Sequence, residues 1–128
     1  MKKLSVLVLE DEMFKYHQLK NALEECCIPT VTWAGTVEEG LRLVQEAAGK
    51  GKGFDLIITD MNYPIREAEG TNPEAGMVCI EKIRSLGLNT PVVVCSSIRY
   101  DVKQAFACIW YSEARSLLLD LREVIMRI

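Results

Sequence analysis

The sequence has few of the residues on which metal-binding and disulfide-linked proteins usually depend. It contains one histidine, His17, and an odd number of cysteines that show none of the paired spacings of a structural metal site. The cysteines are Cys26, Cys27, Cys79, Cys95 and Cys108. Because they lie mostly in apolar segments, we expect them to be reduced core residues of a cytosolic protein. His17 has no cysteine or second histidine at ligand spacing, so we expect a surface or boundary residue and not a phosphohistidine.

Long hydrophobic runs and basic clusters are also absent. No apolar stretch approaches the length that spans a bilayer, so we expect no membrane segment. The first nine residues have the basic and then apolar order of a signal peptide, but the apolar part is short, lacks a cleavage site and runs into three acids. A net charge of -3 without grouped lysines and arginines argues against nucleic acid as a direct partner.

The chain has the size and composition of one globular domain. Its 128 residues, 49% hydrophobic and 26% charged, suffice for a single core, so we expect one domain and no second one within them. Apolar runs rich in β-branched residues alternate with segments of helical period, which is typical of a parallel sheet with helical crossovers. We therefore expect an α/β fold, a flavodoxin-like doubly wound sheet of five parallel strands in the order 2-1-3-4-5, with helices on both faces.

The predicted elements are best defined in the first three quarters of the chain. Helix one has an apolar face, and helix two begins with a capping box formed by Thr36 and Glu39. The apolar face consists of Met13, Tyr16, Leu19 and Leu23. Strands are predicted over Leu4 to Leu9, Thr30 to Ala34, Asp55 to Thr59 and Pro91 to Cys95, and helices from Glu12 to Cys26, after Thr36 and from Pro73.

The region after Ser97 has two interpretations. The favoured one is a short helix from Asp101 to Ala107, a fifth strand from Cys108 to Tyr111, and a last helix from Glu113 to Ile128 capped by Ser112. The alternative is one broken helix from Asp101 to the end, without a fifth strand.

Acidic residues follow two of the predicted strands. Glu10, Asp11 and Glu12 come directly after strand one, and Asp60 comes directly after strand three. Parallel strands end at the same edge of a sheet, and crowded carboxylates raise each other's proton affinity unless a cation lies among them. Mg²⁺ prefers oxygen ligands and keeps positions for water or phosphate, so the pattern predicts a metal site that handles phosphate. A carboxylate placed there is able to attack a phosphoryl group and form an aspartyl phosphate.

Strand four ends in two hydroxyl residues, Ser96 and Ser97. Alone, either serine is best interpreted as the cap of the next helix. Facing two acid-bearing strand ends, a hydroxyl there is also well placed to donate a hydrogen bond to a phosphoryl oxygen.

These segments together resemble the receiver domain of two-component response regulators. The resemblance covers nearly the whole chain and is strongest from Lys3 to Ser97, where four motifs lie in order on the expected strands. They are VLVLEDE at 6–12, LIITDMNYP at 56–64, the third helix with Gly76 and Ile83-Arg84, and TPVVVCSS at 90–97.

The resemblance implies a role for each matching position. It makes Asp60 the phosphoacceptor, and it assigns Mg²⁺ to Glu10, Asp11, Asp60 and the backbone carbonyl of Asn62. It also makes Ser96 the switch hydroxyl and Ser97 its small neighbour.

The chain departs from the family in two places. The lysine and proline that receivers carry at the end of strand five are missing from the stretch Ile109 to Ala114, and Lys103, Arg99 or Arg66 are the candidate substitutes. The loop after Asp60 is also longer than usual. It is either a lid that brings Arg66 to the phosphate or, as we favour, a mobile surface loop.

The expected function is that of a stand-alone receiver. It would accept a phosphoryl group on Asp60 from a sensor histidine kinase or phosphotransfer protein, with Mg²⁺, and signal to a separate effector protein in the cytoplasm. It would not be an enzyme beyond catalysing its own phosphorylation and dephosphorylation. The alternative is a receiver-like interaction module that is not phosphorylated. Glu10-Asp11-Glu12 argues against a flavodoxin, whose loop must hold a phosphate, and against a haloacid-dehalogenase phosphatase, which needs Asp-x-Asp.

Overall fold

The structure is a computed structural model, and it describes residues 3–128. Five parallel strands form one sheet and two short antiparallel strands form a separate hairpin. The strands are β1 (Ser5–Leu9), β2 (Thr30–Ala34), β3 (Leu56–Thr59), β4 (Tyr63–Pro64), β5 (Thr71–Asn72), β6 (Val92–Ser96) and β7 (Ala107–Trp110). The large sheet has the order β2-β1-β3-β6-β7, which confirms the predicted doubly wound topology.

Four helices cover the two faces of this sheet. They are α1 (Met13–Glu25), α2 (Val37–Gly49), α3 (Ala75–Ser85) and α4 (Leu117–Met126). Helices α1 and α4 pack on one face, and α2 and α3 pack on the other, each pair closing its own cluster of buried apolar side chains. The three inner strands β1, β3 and β6 are almost wholly buried because helices cover them on both sides.

The strand register brings the ends of β1 and β3 together. Leu9 is paired with Ala34 on one side and Thr59 on the other. Beyond the strand ends, Glu10 N–H donates to the Ala34 carbonyl at 3.0 Å, and Asp60 N–H donates to the Leu9 carbonyl at 3.0 Å. The residues that follow Leu9 and Thr59 therefore leave the sheet at one edge.

The structure corrects the predicted end of the chain. The fifth strand is present, so the alternative of one broken helix is wrong. The short helix predicted from Asp101 does not form, and residues 97–106 connect β6 to β7 as turns and irregular backbone. The last helix starts at Leu117 and not at Glu113, because the Ser112 hydroxyl accepts from Ala114 N–H in a turn, while the Ser116 hydroxyl accepts from Leu119 N–H as the true cap.

The segment after Asp60 contains secondary structure that was not predicted. The sequence indicates one loop there, but β4 and β5 pair within it, Tyr63 with Asn72 and Pro64 with Thr71. Tyr63 is fully buried, and its hydroxyl lies 2.8 Å from Thr59 Oγ1. A buried aromatic side chain with a satisfied hydroxyl anchors this hairpin to the end of β3.

The first turn of α1 differs from the predicted amphipathic pattern. Met13 was assigned to the apolar face, yet it is 58% exposed, whereas Lys15 is only 3% exposed. Tyr16, Leu19 and Leu23 are buried as expected. The side chain of Lys15 therefore points under the sheet edge, beside the strand ends.

Several smaller predictions concern helix capping, the exposure of His17 and the cysteines, and membrane-spanning helices. Thr36 accepts from Glu39 N–H, which confirms the predicted helix cap. His17 is exposed. All five cysteines are free, and Cys27 is exposed, so the prediction that they all belong to the core is wrong at that position. No helix among the described residues has the length and apolarity needed to cross a membrane.

Candidate functional site

Three acids meet at the edge formed by the ends of β1 and β3. Glu10, Asp11 and Asp60 each contribute a carboxylate oxygen to a cluster in which these atoms lie within 4.8 Å of one another. A cavity opens beside them, and it is also lined by Asn62 and Ser96. The predicted convergence of the three carboxylates follows from the parallel register of the two strands.

Asp60 is held by its neighbours through only one of its carboxylate oxygens. Oδ1 accepts from Met61 N–H at 2.7 Å, and it lies 3.4 Å from the ammonium of Lys15. Oδ2 makes no hydrogen bond or ion pair among the described residues. One oxygen of Asp60 is thus fixed, and the other is available for chemistry.

The start of α3 packs directly against the backbone of this segment. Gly76 N–H donates to the Met61 carbonyl at 3.1 Å. A Cβ atom at Gly76 would stand 2.7 Å from the Asp60 carbonyl oxygen and 3.0 Å from Met61 Cα. Only glycine allows the helix to approach so closely, so this residue helps to set the position of Asp60.

Glu10 is a buried carboxyl group in an unusual environment. Its Oε2 accepts from Glu12 N–H at 3.1 Å, whereas Oε1 has no hydrogen-bond partner among the described residues. The ammonium of Lys15 lies 2.8 Å from Oε1, outside hydrogen-bond geometry, so this contact is an ion pair only. Burial raises the pKa of Glu10 to about 7, against the opposing charge of Lys15.

Lys15 is the residue of this site that sequence reasoning missed. Its Nζ donates to the Cys95 carbonyl at 2.7 Å, besides its contacts to Glu10 and Asp60. Burial opposes the charged form, but the electrostatic interactions with Cys95, Glu10 and Asp60 outweigh it and raise the pKa of Lys15. A signal was present in the sequence, because Lys15 precedes Leu19 and Leu23 at intervals of four and so lies on the buried stripe of the helix.

The two serines differ in their positions. Ser96 is buried at the end of β6, and its hydroxyl accepts from Ile98 N–H at 3.2 Å. Ser97 is exposed and also lines the cavity. No helix begins in residues 97–106, so neither serine is a helix cap, and the hydroxyl of Ser96 is left at the cavity edge.

The three basic residues suggested by the sequence as substitutes lie elsewhere. Arg66 pairs with Glu38 on α2 and with Glu69 in the hairpin. Arg99 stacks over the Trp110 ring, 4.9 Å from its centroid. Lys103 lies exposed in a turn, and none of the three lines the acidic cavity. The structure therefore does not support the prediction that one of them reaches the phosphate.

Two tryptophans lie near the site. The Nε1 of Trp110 donates to the Ser97 carbonyl at 3.0 Å. The Nε1 of Trp33 donates to the Glu10 carbonyl at 2.7 Å, and the Trp33 ring stacks on Tyr16 with 4.3 Å between centroids. Trp33 is therefore an intrinsic fluorophore joined by one hydrogen bond to the acidic cluster.

The acidic cluster fits a hard divalent cation. Its donors are carboxylate oxygens, which Mg²⁺ prefers, and the buried Oε1 of Glu10 lacks a hydrogen-bond donor among the described residues. Three carboxylates face one ammonium, so the cavity is negatively charged when all four groups are ionised. Asn62 lines the same cavity, as the predicted carbonyl ligand requires.

Comparison with known proteins identifies the fold. No protein-family model and no curated protein matches the chain. A CheY-like response regulator receiver domain from Methylobacillus flagellatus has a TM-score of 0.69 and 16% identity, covering 98% of each chain. The phosphorylated cyanobacterial phytochrome response regulator RcpA has a TM-score of 0.73 and 20% identity, covering 98% of this chain and 93% of that chain.

A third similar structure is a complex. It is the receiver domain of the histidine kinase CKI1 from Arabidopsis thaliana with Mg²⁺ and BeF3⁻, and it has a TM-score of 0.63 and 21% identity over 96% of this chain and 90% of that chain. The chain therefore has the fold of response regulator receiver domains, at 16% to 21% identity to these three.

Proposed function

We propose that this protein is a receiver that accepts a phosphoryl group on Asp60 in a Mg²⁺-dependent reaction and passes the signal on through contacts with partner proteins. The observation that carries the proposal is the meeting of Glu10, Asp11 and Asp60 at one edge of a sheet with the receiver fold. Acidic clusters alone are common on protein surfaces. This one lies at the carboxyl ends of parallel strands, where ligands bind in doubly wound folds.

Asp60 is the proposed nucleophile. Its Oδ1 is fixed by Met61 N–H and the Lys15 ammonium, which leaves Oδ2 to attack phosphorus. With a phosphohistidine donor, the new O–P bond forms as the P–N bond breaks, and the leaving imidazole takes up a proton. The product is an acyl phosphate on Asp60, and water later cleaves its O–P bond to release inorganic phosphate.

The residues around Asp60 have supporting roles in this proposal. Glu10, Asp11 and Asp60, with the backbone carbonyl of Asn62, would hold Mg²⁺. When bound, the ion neutralises the negative charge that builds up on the phosphoryl oxygens during transfer. Ser96 would donate its hydroxyl to one phosphoryl oxygen, and the small side chain of Ser97 leaves room for the group to enter.

The proposed partners follow from the chemistry. A histidine kinase or a phosphotransfer protein supplies the phosphoryl group, because phosphohistidine is an energetic donor for an aspartate acceptor. A separate effector protein then reads the changed surface. Neither partner needs to enter the cavity as a whole, since only the imidazole ring of the donor has to reach Asp60.

One observation favours a second function, a receiver-like interaction module that is not phosphorylated. The ammonium of Lys15 already lies against Glu10 and Asp60, and a resident cation reduces the need for a metal ion. On this hypothesis the acids and Lys15 are a buried structural ion cluster.

Intact-mass analysis after incubation with acetyl phosphate and Mg²⁺ separates the two functions. We expect the wild-type chain to gain the mass of one phosphoryl group and Asp60→Asn to gain none. Asp101→Asn is the matched control, because Asp101 is exposed and does not line the cavity, and it should be labelled like the wild type. A wild-type chain that stays unmodified across metals and donors would favour the interaction module.

A further inference from the structure

A lysine from the first turn of α1 is buried beside two of the clustered acids, Glu10 and Asp60. Lys15 Nζ lies 2.7 Å from the Cys95 carbonyl oxygen, 2.8 Å from Glu10 Oε1 and 3.4 Å from Asp60 Oδ1. The side chain is 4% exposed. Three oxygen atoms from the ends of three neighbouring strands, β1, β3 and β6, thus surround one ammonium group.

Burial of this ammonium is costly unless its protons are matched by acceptors. An ammonium group has three N–H donors, and only the bond to the Cys95 carbonyl has hydrogen-bond geometry. The contact to Glu10 lacks that geometry, and the contact to Asp60 is long. The Cys95 carbonyl therefore anchors Nζ beside Asp60, and the contact toward Asp60 is the longest of the three.

Phosphorylation changes the charge at this point. A phosphoryl group on Oδ2 of Asp60 would replace the single charge of the carboxylate with about two negative charges next to Glu10. Lys15 is the only cation in the described part of the chain with an ion contact to Glu10 or Asp60. The candidates Arg66 and Arg99 are engaged with Glu38 and Trp110.

We propose that Lys15, carried by α1, binds a phosphoryl oxygen of phosphorylated Asp60, the contact for which the end of β7 supplies no cation. This proposal rests on the proposed function and names the residue that completes the site. The ammonium keeps its three protons and donates hydrogen bonds, so no proton is transferred in this step. The Cys95 carbonyl holds Nζ in place throughout.

An aromatic residue, and not a lysine, follows the end of β7 beside the Lys15 ammonium. Tyr111 follows this strand, and its ring centroid lies 5.3 Å from Lys15 Nζ. Its hydroxyl donates to the side-chain oxygen of Gln18 on α1. A lysine introduced at position 111 would therefore lie close to the place that the Lys15 ammonium now occupies.

The first test compares two affinities in Lys15→Met. Beryllofluoride in saturating Mg²⁺ serves as the phosphoryl analogue, and Trp33 fluorescence reports binding of Mg²⁺ and of beryllofluoride. We expect beryllofluoride to bind roughly 10- to 100-fold more weakly, since a hydrogen bond between charged groups is lost. Mg²⁺ alone should bind several-fold more tightly, because a positive charge beside its ligands is gone. A purely structural lysine would not shift these two affinities in opposite directions.

The second test moves the lysine to the strand. Lys15→Met combined with Tyr111→Lys should recover most of the beryllofluoride affinity, because the site needs an ammonium at this place and not a particular helix residue. Lys103→Met is the control for loss of one lysine charge, as Lys103 is exposed and away from the cavity. It should match the wild type in both affinities.

Each outcome supports or overturns the proposal. If Lys15→Met does not fold, Lys15→Gln replaces it in both tests, because a glutamine amide also offers N–H donors for the Cys95 carbonyl but carries no charge, and the same opposite shifts of the two affinities are expected. Unchanged beryllofluoride affinity in a folded Lys15→Met, or no recovery in a folded double variant, overturns it. A wild-type chain that binds neither beryllofluoride nor a phosphoryl group contradicts the proposed function itself, so the two failures are distinct.

Discussion

At the scale of single residues, Glu10 and Lys15 form a buried ion pair at the sheet edge. Glu10 is 1% exposed and Lys15 is 3% exposed, with 2.8 Å between Oε1 and Nζ. Removal of one member leaves an uncompensated buried charge, which commonly costs about 3–5 kcal/mol. Any substitution here must therefore be assessed for folding as well as for binding.

The raised pKa of Glu10 predicts how stability depends on pH in the absence of divalent ions. Its pKa is about 7 in the folded chain against an ordinary value of 4.5, so the folded state binds the proton more tightly. The contribution of Glu10 to the free energy of unfolding is therefore fully present below pH 4.5 and is lost as pH rises through 7. The loss is roughly 3 kcal/mol at most.

Urea unfolding at a series of pH values checks this contribution. In buffers with EDTA, we expect the free energy of unfolding of the wild type to fall relative to that of Glu10→Gln as pH rises from 5 to 8. The glutamine variant is the matched control, since it keeps the shape and removes the titrating group. Parallel curves for the two proteins would show that Glu10 titrates at its ordinary pKa.

The sequence predicts a residue of the site when the end of a strand places that residue. It does not predict a residue that is placed by contacts with distant parts of the chain. Asp60 and Glu10 were found because the end of a buried strand fixes where the next residue lies. Lys15 was missed because charged residues on helices are usually solvated, and its burial depends on contacts with β3 and β6 that are distant in the sequence. The three surface cations were proposed in its place from loop positions alone.

At the scale of secondary-structure elements, the approach of α3 to the end of β3 depends on Gly76. A Cβ atom there would meet the Asp60 carbonyl oxygen at 2.7 Å and Met61 at 3.0 Å. Alanine favours a helix over glycine by about 1 kcal/mol, but overpacking costs about 1–3 kcal/mol. We expect Gly76→Ala to lower the free energy of unfolding by about 1–2 kcal/mol and to slow labelling of Asp60, because the Asp60 backbone must shift.

A second helical glycine provides the control for Gly76→Ala. Gly49 ends α2, and a Cβ atom added there would meet nothing within 4 Å. Gly49→Ala should therefore leave stability unchanged or slightly raised, and labelling unchanged. Chemical denaturation and the initial rate of acetyl phosphate labelling measure both effects. Equal behaviour of the two alanine variants would contradict the packing argument.

The predicted elements were reliable where helix and strand signals agreed along the sequence. The strands from β1 to β6 of the large sheet were located to within one residue because each is a short apolar run between polar turns. The segment 97–106 does not form the predicted helix, and Phe106 N–H bonds instead to the Val92 carbonyl at the start of β6. The hairpin was missed since its strands have only two residues each.

At the scale of the whole molecule, binding at the sheet edge should be linked to the stability of the fold. The three acids belong to segments that follow β1 and β3, and these strands lie at the centre of the sheet and in contact with both cores. Unfolding separates the carboxylates, so Mg²⁺ binds the folded chain in preference to the unfolded one. An ion held at this edge therefore stabilises the entire domain and not only a loop.

Thermal unfolding measures this linkage. At a Mg²⁺ concentration tenfold above its dissociation constant, the stabilisation is about 1.4 kcal/mol, which raises Tm by roughly 3–5 °C for a domain of this size. Sodium chloride at equal ionic strength is the control for screening, and it should give a smaller shift. Asp11→Asn removes one exposed ligand without disturbing the buried Glu10 and Lys15 pair, so it should fold normally and lose most of the Mg²⁺ effect. A Tm of the wild type that does not respond to Mg²⁺ would mean that the Lys15 ammonium already balances the acids, and the cluster would then be structural.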